Sequence, residues 1–249
     1  MPATPAWPPK SAPRLFLAGP LALGNTVRLE GAQAHYLGKV MRAAPGDAVV
    51  LCDDLTGEWA ARVVAADKRA VALEVAALLR PREDVPDFTL IAALLKKPQF
   101  DMVLEKATEL GVRRIQPVVT RRCVADALNP DRARAIVTEA AEQCARTALP
   151  EIAAPLKLDA LLRAWEPDRA LFFADEAGGE PAAPAFAARR GPAAILIGPE
   201  GGFDDAERAA IRALPQAAAI TLGPRILRAE TAALTATALW MALAGDWTK

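Results

Sequence analysis

Three side chains near the C-terminus are suited to acid–base or electrostatic chemistry: Glu200, Arg228 and Glu230. An arginine held in a loop can stabilise negative charge as it develops, and a carboxylate can take up a proton. Each also has a plainer use. Arg228 can hold a phosphate, and Glu200 can brace its own loop. Glu230 falls in the first turn of a helical pattern, where the macrodipole favours a carboxylate. These roles stay open until the elements that carry the residues are considered.

Those elements come in a pair. Ala194-Ile195-Leu196-Ile197 is a short apolar run, read as a buried strand, and it breaks into Gly198-Pro199-Glu200-Gly201-Gly202. Glycines let another molecule approach the main chain closely. Asp204 followed by Glu207 has capping-box spacing, so a helix should start at about Asp204. A second run, Ile220-Thr221-Leu222, leads through Gly223-Pro224-Arg225-Ile226-Leu227-Arg228 into the last helix. Strand, glycine loop and helix form the usual ligand-binding unit of α/β proteins. The expected lining residues are Ile197, Gly198, Gly201, Leu222, Gly223, Ile226 and Leu227. Neither loop carries G-x-x-x-x-G-K-[ST], and no G-x-G-x-x-G follows the first strand, so a nucleoside triphosphate is not the expected ligand.

Ile197-Gly198-Pro199-Glu200-Gly201-Gly202-Phe203, with Leu222 to Ala232 (LGPRILRAETA), resembles the RsmE family. These are bacterial methyltransferases that act on N3 of a uridine in small-subunit ribosomal RNA. Arg14-Leu15-Phe16, His35-Tyr36-Leu37, Val40-Met41-Arg42 and Gly46-Asp47 are similar to its N-terminal PUA-like domain, and the likeness spans about residues 14–246. The resemblance implies a SPOUT-type α/β domain with a trefoil knot, plus a small PUA-like β-barrel. It also implies S-adenosylmethionine as methyl donor, small-subunit ribosomal RNA within an assembled 30S particle as substrate, and a homodimer. Arg228, Glu230 and Glu200 become the catalytic candidates, and Arg14 and Arg42 the RNA-binding ones. One departure is Pro98-Gln99-Phe100, where many members carry a basic residue. Two other readings are a ribose 2′-O-methyltransferase of the same superfamily and a non-catalytic RNA-binding protein. The long second motif argues against the first, and the intact ligand loops against the second.

Composition agrees with a globular protein in a reducing compartment. Thirty basic and thirty acidic residues cancel, which weighs against a generic nucleic-acid coat protein; any RNA footprint must arise by folding charges onto one face. The three cysteines are far apart and there is one histidine, so neither a zinc site nor a disulfide framework is expected. No apolar run reaches membrane-spanning length. A cytoplasmic protein with no metal and no membrane partner is the expectation.

Along the chain, residues 1–13 hold five prolines and are read as a disordered lead-in. Residues 14–80 show short strands and turns, expected to form an antiparallel barrel with a helix over Ala34 to Arg42. Residues 81–87, proline-bearing and acidic, are read as a linker. From 88 to 249 strands alternate with helices, which implies a largely parallel sheet covered on both faces.

Overall fold

The structure, a computed structural model, describes residues 7–67 and 69–247. It divides into two compact units. One comprises the residues up to Asp84 together with Ala141–Ala148; the other comprises Val85–Ala140 and the chain from Leu149 onward.

In the first unit β1 (Arg14–Phe16), β2 (Thr26–Glu30), β3 (Ala48–Cys52), β4 (Gly57–Ala66) and β5 (Ala70–Pro81) form one sheet, in the order β1-β3-β4-β5-β2. Three of the four ladders are antiparallel, but β1 runs parallel to β3, which corrects the all-antiparallel expectation. Register shifts along β4 and β5 curl the sheet around Leu15, Leu29, Leu51, Trp59, Val63 and Leu73. The edge strands β1 and β2 are not paired with each other, so main-chain hydrogen bonds do not close the barrel among the described residues. The helix expected over 34–42 is instead α1 (Gly31–His35) followed by a π-helical turn, Tyr36–Val40. It ends because Arg42 takes a left-handed conformation, φ 55°.

Of the lead-in, residues 1–6 lie outside the described residues. The guanidinium of Arg62 lies 4.9 Å from the Trp7 ring, and the Pro13 carbonyl accepts from the Val50 amide.

The segment from Ala141 to Ala148 belongs to this unit through polar contacts. Glu142 Oε1 accepts from the Phe16 amide at 2.8 Å, Arg80 donates to the Ala145 carbonyl, and Glu83 Oε1 accepts from the Thr147 and Ala148 amides at 2.9 and 3.0 Å. Arg146, with its side chain buried, lies 3.4 Å from Glu83; burial pushes its guanidinium below the usual arginine range, and the Glu83 charge opposes that.

The second unit is built on β6 (Phe88–Ala93), α2 (Lys97–Glu109), β7 (Arg114–Val119), α3 (Pro130–Cys144), β8 (Glu151–Ile152), β9 (Leu156–Lys157) and α4 (Leu158–Arg163). β10 (Ala170–Ala174), β11 (Glu180–Pro181), α5 (Ala182–Ala188), β12 (Ala193–Ile197), α6 (Asp205–Arg212), β13 (Ala217–Thr221) and α7 (Ala229–Leu243) complete it. Every ladder of its sheet is parallel, in the order β11-β13-β10-β12-β6-β7-β8, with β9 also on β7. Alternate residues of one strand feed two cores: Ala193, Ile195 and Ile197 meet α2, α5 and α7, while Ala194 and Leu196 meet Phe203 and Ile211 on the other face. Trp240 of α7 stacks on Phe88 at 4.3 Å.

Local signals set the ends of α2 and α3. Gly111, φ 91°, closes α2 with Gly111 N–H on Thr108 O and Val112 N–H on Ala107 O, a Schellman motif. α3 stops at Cys144, because Ala145 turns left-handed at φ 62°.

Candidate functional site

The carboxyl ends of neighbouring parallel strands are where an open α/β sheet binds ligands. Here β13, β10 and β12 are adjacent, and the loops that follow them enclose a cavity of about 380 Å³. That volume is in the range of small-molecule sites.

The first loop follows β12. Pro199 O accepts from Gly202 N at 2.9 Å, closing a tight turn, and Gly202 takes φ 66°. α6 then begins on a full capping box: the Asp204 side chain accepts from Glu207 N, and the Glu207 side chain accepts from Asp204 N. The Glu207 amide on its carboxylate, with Arg121 adding to it, holds Asp204 below the usual carboxylate range. Arg121 reaches Asp204 at 2.8 Å, and Arg122 donates to the Gly201 carbonyl at 2.7 Å. The loop after β7 therefore grips the glycine loop from outside.

The second loop follows β13. Gly223, φ 116°, lets the chain turn beside the cavity. Ile226 is 91% exposed on the cavity wall, an apolar side chain with room for an apolar partner. Arg228 is the N-cap residue of α7, extended at φ −64°, ψ 154°, and its side chain makes no capping hydrogen bond. It is exposed and lines the cavity.

The structure brings most of the expected residues together. Ile197, Gly198, Glu200, Leu222, Gly223, Ile226, Leu227 and Arg228 share the cavity wall. Gly201 and Glu230 are not on that wall. A Cβ built on Gly201 meets the aliphatic part of Arg122 at 3.4 Å. Glu230 sits in the first turn of α7, half-buried, where the macrodipole favours it.

The two arginines expected to meet RNA lie in the other unit and differ from each other. Arg42 is exposed. Arg14 is paired with Glu58 at 2.5 Å, their side chains 20% and 8% exposed, and Arg80 holds the second oxygen of Glu58. Beside them Cys52 is buried, and burial pushes its thiol up to about 11.

Asp175, Glu176 and Gly178, in the loop after β10, together with Arg208 of α6, also line the cavity. Sequence reasoning passed over them. The signal available was Gly178-Gly179 a few residues after a strand, a glycine-bearing loop like the other two.

Among the described residues no three His, Cys, Asp or Glu side chains gather in a group able to hold a metal ion, and no helix is long and apolar enough to cross a membrane.

Comparison with known proteins gives matching results for both units. Residues 82–241 match the RNA methyltransferase domain family and residues 29–76 the RNA methyltransferase PUA domain family. The chain is 33% identical to Ribosomal RNA small subunit methyltransferase E of Synechocystis, covering 90% of this chain and 76% of that one. It is 28% identical to the Rickettsia conorii protein of the same name, covering 90% and 93%. The crystal structure of a Ribosomal RNA small subunit methyltransferase E from Neisseria gonorrhoeae bound to S-adenosyl methionine superposes with a TM-score of 0.85 at 29% identity, covering 95% of this chain and 99% of that one.

Proposed function

The chain belongs to the RsmE family of ribosomal RNA small subunit methyltransferases, and from that premise we propose that it transfers a methyl group from S-adenosylmethionine to N3 of a uridine in small-subunit ribosomal RNA. The observation that carries the reading is the cavity at the ends of β13, β10 and β12, with Arg228 on its wall.

The residues fit this donor. The apolar side of the cavity, formed by Leu222, Ile226, Leu227 and Ala232, suits a flat purine. Gly198 and Gly223 bring main chain to the wall, so backbone groups can hydrogen-bond the base. Carboxylates on the wall suit a cationic, hydroxyl-bearing ligand. When bound, the donor supplies a methyl group already activated by the sulfonium.

The protein's task lies on the acceptor side. Uridine N3 must lose its proton for the N–C bond to form, and the negative charge spreads over N3 and the flanking oxygens. Arg228, exposed at the loop–helix junction, stabilises that charge. Of the two carboxylates, Glu200 is on the wall and is the better placed to take the proton, while Glu230 stabilises the start of α7.

We assign RNA docking to the N-terminal unit, residues 14–80, through Arg42. Its exposure supports this. Arg42→Ala should lower the salt dependence of RNA binding by about one unit of slope with melting unchanged. Arg14→Ala should do the reverse. It removes one of two partners of a mostly buried carboxylate and should cost about 1–3 kcal/mol, read by urea denaturation. An Arg14→Ala protein of normal stability and weakened RNA affinity would place Arg14 on the RNA.

The family resemblance adds a homodimer, a cytoplasmic setting, an assembled 30S substrate and a knotted C-terminal path to this reading. The strand order supports the last: the chain passes from β12 across β10 to β13. Half-buried Leu234 and Ala238, one turn apart on α7, offer an apolar stripe to a second copy. The decisive experiment incubates the protein with donor and either 30S particles or free ribosomal RNA, then digests the RNA for mass spectrometry. N3-methyluridine is the expected product. A 2′-O-methyl product, or no methylation with either substrate, sinks the assignment.

A further inference from the structure

The loop after β10 has no role in the chemistry above, yet it occupies the middle of the site. β10 lies between β13 and β12, so its loop lies between the apolar loop and the glycine loop. Asp175, with a fully buried side chain, anchors it by holding Arg208 at 3.1 Å and Arg212 at 2.6 Å. Arg208 in turn reaches Glu176 Oε1 at 3.3 Å and Asp205 at the same distance. On its other side Glu176 packs against the glycine loop: a Cβ on Gly202 would come within 2.5 Å of Oε1. The carboxylate is thus fixed from two sides, with Oε1 engaged. Oε2 accepts no hydrogen bond among the described residues, and the side chain stays half exposed on the cavity wall.

We propose that Glu176 recognises the ribose of the methyl donor, its free oxygen accepting hydrogen bonds from the vicinal hydroxyls. The inference rests on the reading of this cavity as a site for an adenosine-based donor. Such a donor has three parts in line: base, sugar and a sulfonium-bearing amino-acid chain. The base goes to the apolar loop with Leu222 and Ile226, so the middle loop meets the middle part. There it presents an anchored carboxylate, the group that reads ribose hydroxyls at strand ends in other nucleotide-binding α/β folds. Arg208 is not free to complete a site for the amino-acid end, because Asp175, Glu176 and Asp205 already engage its guanidinium.

The test uses the full chain and two ligands in calorimetry: S-adenosylmethionine and 5′-methylthioadenosine, which keeps base and sugar but lacks the amino acid. Glu176→Gln should weaken both about tenfold, as expected for losing a hydrogen bond to a charged group. A ligand-side control guards against misfolding. Wild-type protein should bind 5′-methylthio-2′-deoxyadenosine about tenfold more weakly than the ribonucleoside, and the Gln variant should show little further discrimination. Loss for S-adenosylmethionine alone would move Glu176 to the amino-acid end and overturn the proposal. So would unchanged affinity for both ligands, or equal discrimination against the deoxy ligand in both proteins. Wild-type protein that binds neither parent ligand would overturn the donor-site reading itself, and this one with it.

Discussion

Arg228→Ala should slow methyl transfer in a single turnover at least a hundredfold while leaving donor affinity within a few-fold of wild type. A donor aimed at developing negative charge typically contributes ~2.7–4 kcal/mol to a transition state. Arg228 has the required freedom: it caps α7 by backbone conformation alone, so its guanidinium is not engaged in the cap. Raising the pH should partly rescue the variant, because solvent then helps remove the N3 proton. Glu230→Gln is the companion measurement. From its place in the first turn, it should lower the melting temperature slightly and leave the rate near normal. If Arg228→Ala leaves the chemical step intact and weakens only RNA binding, the arginine is a phosphate clamp. The electrostatic role is then wrong.

Gly223→Val should abolish donor binding, a loss of at least about a hundredfold, in a protein that remains folded. Two effects add. The position has φ 116°, which a β-branched residue adopts only at a cost of about 1–3 kcal/mol. A Cβ there also meets no protein atom within 4 Å, and Gly223 is on the cavity wall. The side chain would therefore stand in space available to a ligand. Gly201→Val is the matched control. Its Cβ abuts Arg122 rather than the cavity, so binding should fall far less. Equal affinities for wild type and folded Gly223→Val would remove the second loop from the donor site.

What could be read from the sequence was local. Asp204 and Glu207 are three residues apart, and their reciprocal caps follow from spacing alone. Gly111 ends α2 for a reason carried by one residue and its neighbours. Ala48–Cys52 and Ala170–Ala174 are apolar runs in the sequence and strands in the structure. What stays hidden in the sequence depends on distance. The pairing of Arg14 is invisible locally, because its partner, Glu58, is 44 positions away. Asp175 and Glu176 carry no signal of their own, because only the strand order puts β10 between the two recognised loops. Gly201 was assigned to the cavity because it lies in the glycine run; which side of a turn faces a ligand is fixed by Arg122, from another strand's loop.

The N-terminal unit is not one continuous stretch of chain, and this matters while the protein is being made. Its residues up to Asp84 leave the ribosome first, but Ala141–Ala148 follow only after Val85–Ala140 of the other unit have been synthesised. At roughly 5–20 residues per second, the wait is several seconds. During it, the Phe16 amide lacks Glu142, and Glu83 lacks the Thr147 and Ala148 amides. The first unit to emerge is thus held incomplete until its last segment emerges, so order of synthesis and order of folding diverge. A gene cut at Asp84 would separate the unit from a part of itself.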